Sequence, residues 1–161
     1  MDPKARGELL IAYAQGPAAL KAALAQLPEG SLEFRPGPGR WTIQEIVFHL
    51  AESEVHGYLR GRTIIAEPGG AVLAFDQDRW VQSLDVADQP LDEGVDLFRL
   101  LREILARELR SLPEATWAQH VQHSERGRIT LEAWLETYVG HLNAHLAQIA
   151  RNLEAFRAAR S

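Results

Sequence analysis

The chain has 161 residues, of which 46% are hydrophobic and 24% charged, with a formal net charge of −5. That size suits a single domain over 1–161, and the balance excludes a chain disordered throughout. Acids and bases alternate without a basic stripe, which argues against nucleic-acid binding. Cysteine is absent, so disulfides, thiolate metal sites and a cysteine nucleophile are excluded, and a reducing, cytoplasmic setting is expected. The first residues lack the apolar stretch of a signal peptide, and no apolar run is long enough to span a membrane.

Four long segments carry helical periodicity, separated by gaps rich in Pro and Gly. The first covers about 3–26, with Leu9, Leu10, Tyr13, Leu20 and Leu24 on one side. Pro17 inside it removes a backbone donor and predicts a bend or a restart. The second opens at Thr42-Ile43-Gln44-Glu45, a capping box, and continues to about 66, where Pro68-Gly69-Gly70 ends it. Residues 71–91 form a long connection in which 75–80 is read as a short helix. The third segment covers about 91–111, with Val95, Phe98, Leu105 and Leu109 inward, and 113–119 is read as a further short helix. The fourth starts at the N-cap Thr130 and runs to about 157 along Leu131, Leu135, Tyr138, Leu142 and Ile149. Strand-like alternation is nearly absent. The expected fold is all-α: a four-helix bundle whose long connection between helices two and three permits a crossover.

Six histidines carry the chemical signal: His49, His56, His120, His123, His141 and His145. Residues four apart on a helix are separated by about 40° and about 6 Å, so His141 and His145 leave the same side and can converge on one ion. His49 lies at the border of the second segment's apolar stripe, where a bundle can bring it to that pair. Three imidazoles with an open coordination position suit one divalent metal, zinc or nickel foremost. The alternative is three packed, metal-free histidines. His120 and His123 are expected in a surface loop, although His123 over the bundle mouth can serve acid–base chemistry. His56 is a weaker proton-transfer candidate, expected at the surface. Asp76 is a candidate substrate contact or support for a ligand, with a helix cap as the simpler account. Glu52 and Glu54 are read as a solvated face, and the four tryptophans as core or loop anchors.

Four stretches, 35–54, 75–80, 127–130 and 138–149, together resemble the DinB-like superfamily and, within it, the YfiT-like branch that includes bacillithiol S-transferases. They contain Trp41-Thr42, His49-Leu50-Ala51-Glu52-Ser53-Glu54, Phe75-Asp76-Gln77-Asp78-Arg79-Trp80 and the His141/His145 pair, in matching order. The resemblance implies a four-helix bundle with a metal held by three histidines, mapping onto His49, His141 and His145. It also implies a metal-dependent hydrolase or thiol transferase containing nickel or zinc, in many members a homodimer. The function expected is transfer of a small-molecule, bacillithiol-like thiol to an electrophilic substrate. The absence of cysteine fits, because the sulfur would come from the cosubstrate. Metal-dependent hydrolysis and a non-enzymatic metal- or ligand-binding bundle are the alternatives.

Overall fold

The computed structural model describes residues 1–160. Helix α1 spans Pro3–Leu24, capped by the Asp2 carboxylate, which accepts from the Ala5 N–H at 3.2 Å. It continues through Pro17 without the restart the sequence suggests. Tyr13 and Leu20, both fully buried on either side of Pro17, pack the helix firmly enough to outweigh one lost backbone bond. Helix α2, Ile43–Ala66, begins at the expected capping box, with Thr42 and Glu45 each accepting the other's backbone N–H. Such a cap contributes about 1 kcal/mol.

After strand β1, Ala71–Val72, come the short helix α3, Gln77–Ser83, and the long helix α4, Leu91–Leu109. A 3-10 turn at Glu114–Ala118 leads into strands β2, His120–His123, and β3, Gly127–Thr130, and then helix α5, Leu131–Ala158. The strands form one small sheet in which β1 runs parallel to β2 and β2 antiparallel to β3, with His123 opposite Gly127. This corrects the expectation that His120 and His123 occupy a surface loop. Two- and four-residue strands are too short to show a period, and the turn depends on Gly127 at φ 68°.

Around the bundle the helices follow the order α1, α4, α2, α5, each packed on its two neighbours. The long connection between α2 and α4 therefore joins adjacent helices. The bundle diagonal is crossed instead between α1 and α2 and between α4 and α5.

Two apolar clusters fill the bundle. One contains Tyr13, Leu105, Leu109, Trp134 and Tyr138, the other Leu20, Ile46, Leu50, Phe98 and Leu142. Arg102, with no exposed surface, stands between them. Its guanidinium lies 4.5 Å from the ring centres of both Tyr13 and Phe98. Its Nε–H donates to Glu54 Oε2 at 2.9 Å, and an Nη2–H donates to the Tyr138 carbonyl at 2.8 Å. Tyr13 donates its hydroxyl proton to the other Glu54 oxygen at 2.5 Å. Glu54 is thus an interior residue, not part of a solvated face. Arg102 and the Tyr13 hydroxyl satisfy both of its oxygens, which a buried carboxyl group requires.

Removing one partner of a buried ion pair leaves the other uncompensated. Arg102→Ala is expected to cost about 3–5 kcal/mol in urea unfolding, and an Arg102→Met, Glu54→Leu double variant to recover most of that loss. Equal stability of Arg102→Ala and the parent chain in that measurement defeats the account.

Candidate metal centre

Helices α2 and α5 press together at Gly57, where a Cβ would overlap the Tyr138 ring. Trp134 locks the contact, its Nε1–H donating to the Gly57 carbonyl at 2.9 Å. About two turns from Gly57 along α2 is His49, 1% exposed. One turn beyond Tyr138 on α5 is His141, followed a turn later by His145, both half-buried. The three rings meet, with ligand-capable nitrogens all within 4.8 Å of one another.

His141 Nε2 lies 3.1 Å from His49 Nε2 and 3.1 Å from His145 Nε2. An imidazole nitrogen offers one in-plane direction, either a proton or a lone pair. His141 Nε2 therefore cannot match both neighbours by hydrogen bonding alone. Donors about 2.05 Å from a single ion are spaced about 3.3 Å apart in tetrahedral geometry and about 2.9 Å at right angles. Both spacings to His141 lie between the two, and with all three nitrogens within 4.8 Å of one another the cluster could hold a divalent ion. The donor chemistry agrees. Gln148 Oε1 is 2.8 Å from His145 Nδ1, which places that ring's proton on Nδ1 and leaves the Nε2 lone pair directed at the cluster.

Trp41 closes one side, its ring centre 4.7 Å from that of His49 and its plane stacked on His145 at 6.2 Å. The carbonyl of Trp41 accepts from Asn152 Nδ2–H at 2.8 Å, which pins this residue to α5. Ser53 Oγ stands 3.3 Å from His49 Nε2.

On the other side opens a cleft of about 360 Å³, lined by Ser53, Arg60, Phe75, His123, Tyr138 and His141 among others. His123 is 7% exposed, and its Nδ1 accepts from the backbone N–H groups of Glu125 and Arg126 at 3.2 and 3.3 Å. The proton of the neutral ring therefore sits on Nε2, making His123 a hydrogen-bond donor rather than a base at that nitrogen. Asp76 also lines the cleft, and its carboxylate caps α3 by accepting from the Arg79 N–H at 3.0 Å. His56, expected at the surface, is half-buried and stacks on Phe75 at 4.0 Å. Its Nε2 is buried without a partner. Glu52 is likewise half-buried, with its carboxyl pKa raised by burial.

The sequence reading did not single out Ser53 or Arg60, yet both share a stripe with His49 and His56 at positions i, i+4, i+7 and i+11 of α2. That spacing is the signal that could have found them.

Burial, followed by the charges of His141 and His145, lowers the His49 pKa to about 3. Burial, then His145, Arg102 and Arg126, lowers His141 to about 4. Burial also lowers His145, against the Gln148 hydrogen bond. Among the described residues no carboxylate raises any of the three, so near neutral pH all are uncharged, the form that donates a lone pair. In the window between these values and 6.5 the unfolded chain binds protons that the folded chain refuses. Stability therefore rises with pH across that window and is lost as pH falls through it. Urea midpoints of chelator-treated protein are expected to drop steadily from about pH 7 to about pH 4; a flat profile contradicts the buried neutral cluster.

The sequence profile of the DinB superfamily matches residues 12–149. The Bacillus subtilis (strain 168) protein named "Putative metal-dependent hydrolase YfiT" is 28% identical over 134 residues, covering 83% of this chain and 75% of its own. A Bacillus licheniformis protein, also named a "Putative metal-dependent hydrolase", is 29% identical over 136 residues, covering 84% of this chain and 77% of its own. The solved structure of YfiT from Bacillus subtilis, described as a probable metal-dependent hydrolase with an unusual four-helix bundle topology, superposes with a TM-score of 0.88 at 25% identity. That superposition covers 94% of this chain and 87% of the other. By profile, relatives and fold, this chain belongs to the DinB superfamily.

Proposed function

We propose that the protein is a divalent-metal-dependent enzyme with His49, His141 and His145 as ligands, and that it transfers a small-molecule thiol to an electrophile. The observation that carries this reading is the convergence of three neutral imidazole nitrogens beside an open cleft. Zinc or nickel suits three nitrogen donors, and when bound it supplies a Lewis acid that holds a thiol or water and lowers its pKa.

The surroundings favour a thiol over water. A thiol has a pKa near 8.5 and water about 15.7, so a thiol needs far less help to ionise. Among the described residues, no carboxylate is hydrogen-bonded to the three histidines. Glu54, five residues after His49, is held by Arg102 and Tyr13. The His123 Nε2–H donates and does not accept. The chain's residues thus orient and donate hydrogen bonds, while the thiol proton leaves through the cleft to solvent. The sulfur–carbon bond forms as the bond to the leaving group breaks, and the leaving group takes that electron pair. Metal-dependent hydrolysis is the second reading, favoured by the names of the relatives.

Two measurements test this. His49→Ala, His141→Ala and His145→Ala are each expected to remove most bound zinc or nickel by elemental analysis while circular dichroism stays helical. Undiminished metal in any one rejects that residue as a ligand. Metal-loaded protein is expected to conjugate small thiols to an alkyl halide. Ester or amide hydrolysis without conjugation places hydrolysis first.

A further inference from the structure

Besides His141, the cleft is lined by several hydrogen-bond donors. Arg60, half-buried on α2, gives one Nη1–H to the Tyr138 hydroxyl at 3.2 Å and one Nη2–H to the Leu73 carbonyl at 2.7 Å. These bonds hold the guanidinium against the cleft wall, and its Nε is buried without a partner. Because Tyr138 accepts from Arg60, its own hydroxyl proton remains available to a third group. Burial raises the Tyr138 pKa, so that proton is retained near neutral pH. Across the cleft, Arg126 sits on the turn between β2 and β3, next to the bonds that fix His123 as an Nε2–H donor. Arg60 and Arg126 both line the cleft that also contains His123 and His141, so the two cations border one space.

Neither Arg60 nor Arg126 forms an ion pair among the described residues. Two carboxylates also line the cleft. Asp76 is engaged in capping α3, and Glu125 is exposed on the turn beside His123. The cleft lining therefore offers the half-buried Arg60 guanidinium, the exposed Arg126 guanidinium, one phenol O–H and one imidazole N–H. A half-buried cation without a counter-ion, as at Arg60, is costly, and a fork of guanidinium donors matches the oxygens of a carboxylate or phosphate.

We propose that Arg60, Arg126, His123 and Tyr138 form an anion subsite that binds a carboxylate or phosphate group of the substrate while its reacting atom sits at the three histidines. This rests on the metal-centre reading above. Tyr138 and His141 are one turn apart on α5, about 4.5 Å along its axis, so the spacer between anion and reacting atom is short. The subsite selects substrates by charge at a point the reaction itself does not touch.

Hydroxamates bind divalent ions whether the reaction is thiol transfer or hydrolysis. A matched set with one short alkyl spacer and a carboxylate, phosphate, amide or amine tail separates the head from the tail. Calorimetric titration of zinc-loaded full chain is expected to give at least about tenfold tighter binding for an anionic tail than for the amide. The better of carboxylate and phosphate identifies the group. In Arg126→Glu that advantage is expected to vanish, with the amine tail gaining and the amide unchanged. Arg126 makes no side-chain hydrogen bond among the described residues, so this variant spares the fold. Arg60→Gln is expected to lose the same advantage, with circular dichroism checking the fold. Equal affinity for all tails, or an anionic preference that survives Arg126→Glu, overturns the subsite alone. If no hydroxamate binds, the metal centre and the subsite both fall.

Discussion

Helix α2 can reach α5 only because residue 57 has no side chain. The Tyr138 ring occupies the volume a Cβ would need, and Trp134 ties the Gly57 carbonyl across the same seam. Imidazoles have short reach, so His49 and His141 meet at 3.1 Å only if their helix axes are held close. The seam sets that separation. Tyr138 then serves twice, its ring as the packing surface for Gly57 and its hydroxyl as part of the cleft wall. Any change that parts these helices is felt first at the histidines.

A second layer ties the core to the same seam. Arg102 connects the Glu54 carboxylate on α2 with the Tyr138 carbonyl on α5, and stacks against Tyr13 of α1 from its own place on α4. All four long helices therefore join in one buried polar layer. Gly16 of α1 leaves the room that the Arg102 guanidinium takes, since a side chain there would collide with it. Apolar packing alone tolerates sliding of helices, whereas directional bonds to a single guanidinium fix register.

Much of this was legible from the residues. The capping box at Thr42, the N-cap at Thr130, the four long helices and the candidate histidines follow from spacing and local hydrogen-bonding chemistry. Asp76 takes the simpler of its two expected roles, as the cap of α3. The misreadings share a cause. The charge of Glu54 points to solvent, although the residue continues the stripe of Ile43, Val47 and Leu50, just as Arg102 continues that of Phe98, Leu105 and Leu109. Two opposite charges on facing apolar stripes is the pattern of a buried pair, and only pairing one helix with another reveals it. The small sheet was invisible because its strands are too short for a period. His123 was placed at the surface for that reason, and with it went the cleft wall. Non-local pairing of 71–72 with 122–123 has no local signature.

The small sheet has a broader consequence. The histidines stand on two long helices, whereas much of the cleft wall comes from the segment after β1 and from the turn between β2 and β3. The cleft is therefore walled partly by the two helices that carry the histidines, through Ser53, Arg60 and Tyr138, and partly by these connecting segments. Val72 and Val121 anchor the sheet in one of the apolar clusters, whereas residues 74–76 and 124–126 belong to neither, so these outer positions can change length or charge without disturbing the bundle seam. A scaffold arranged this way lends itself to retargeting: exchanging the turn residues alone would reshape the cleft while leaving the three histidines in place.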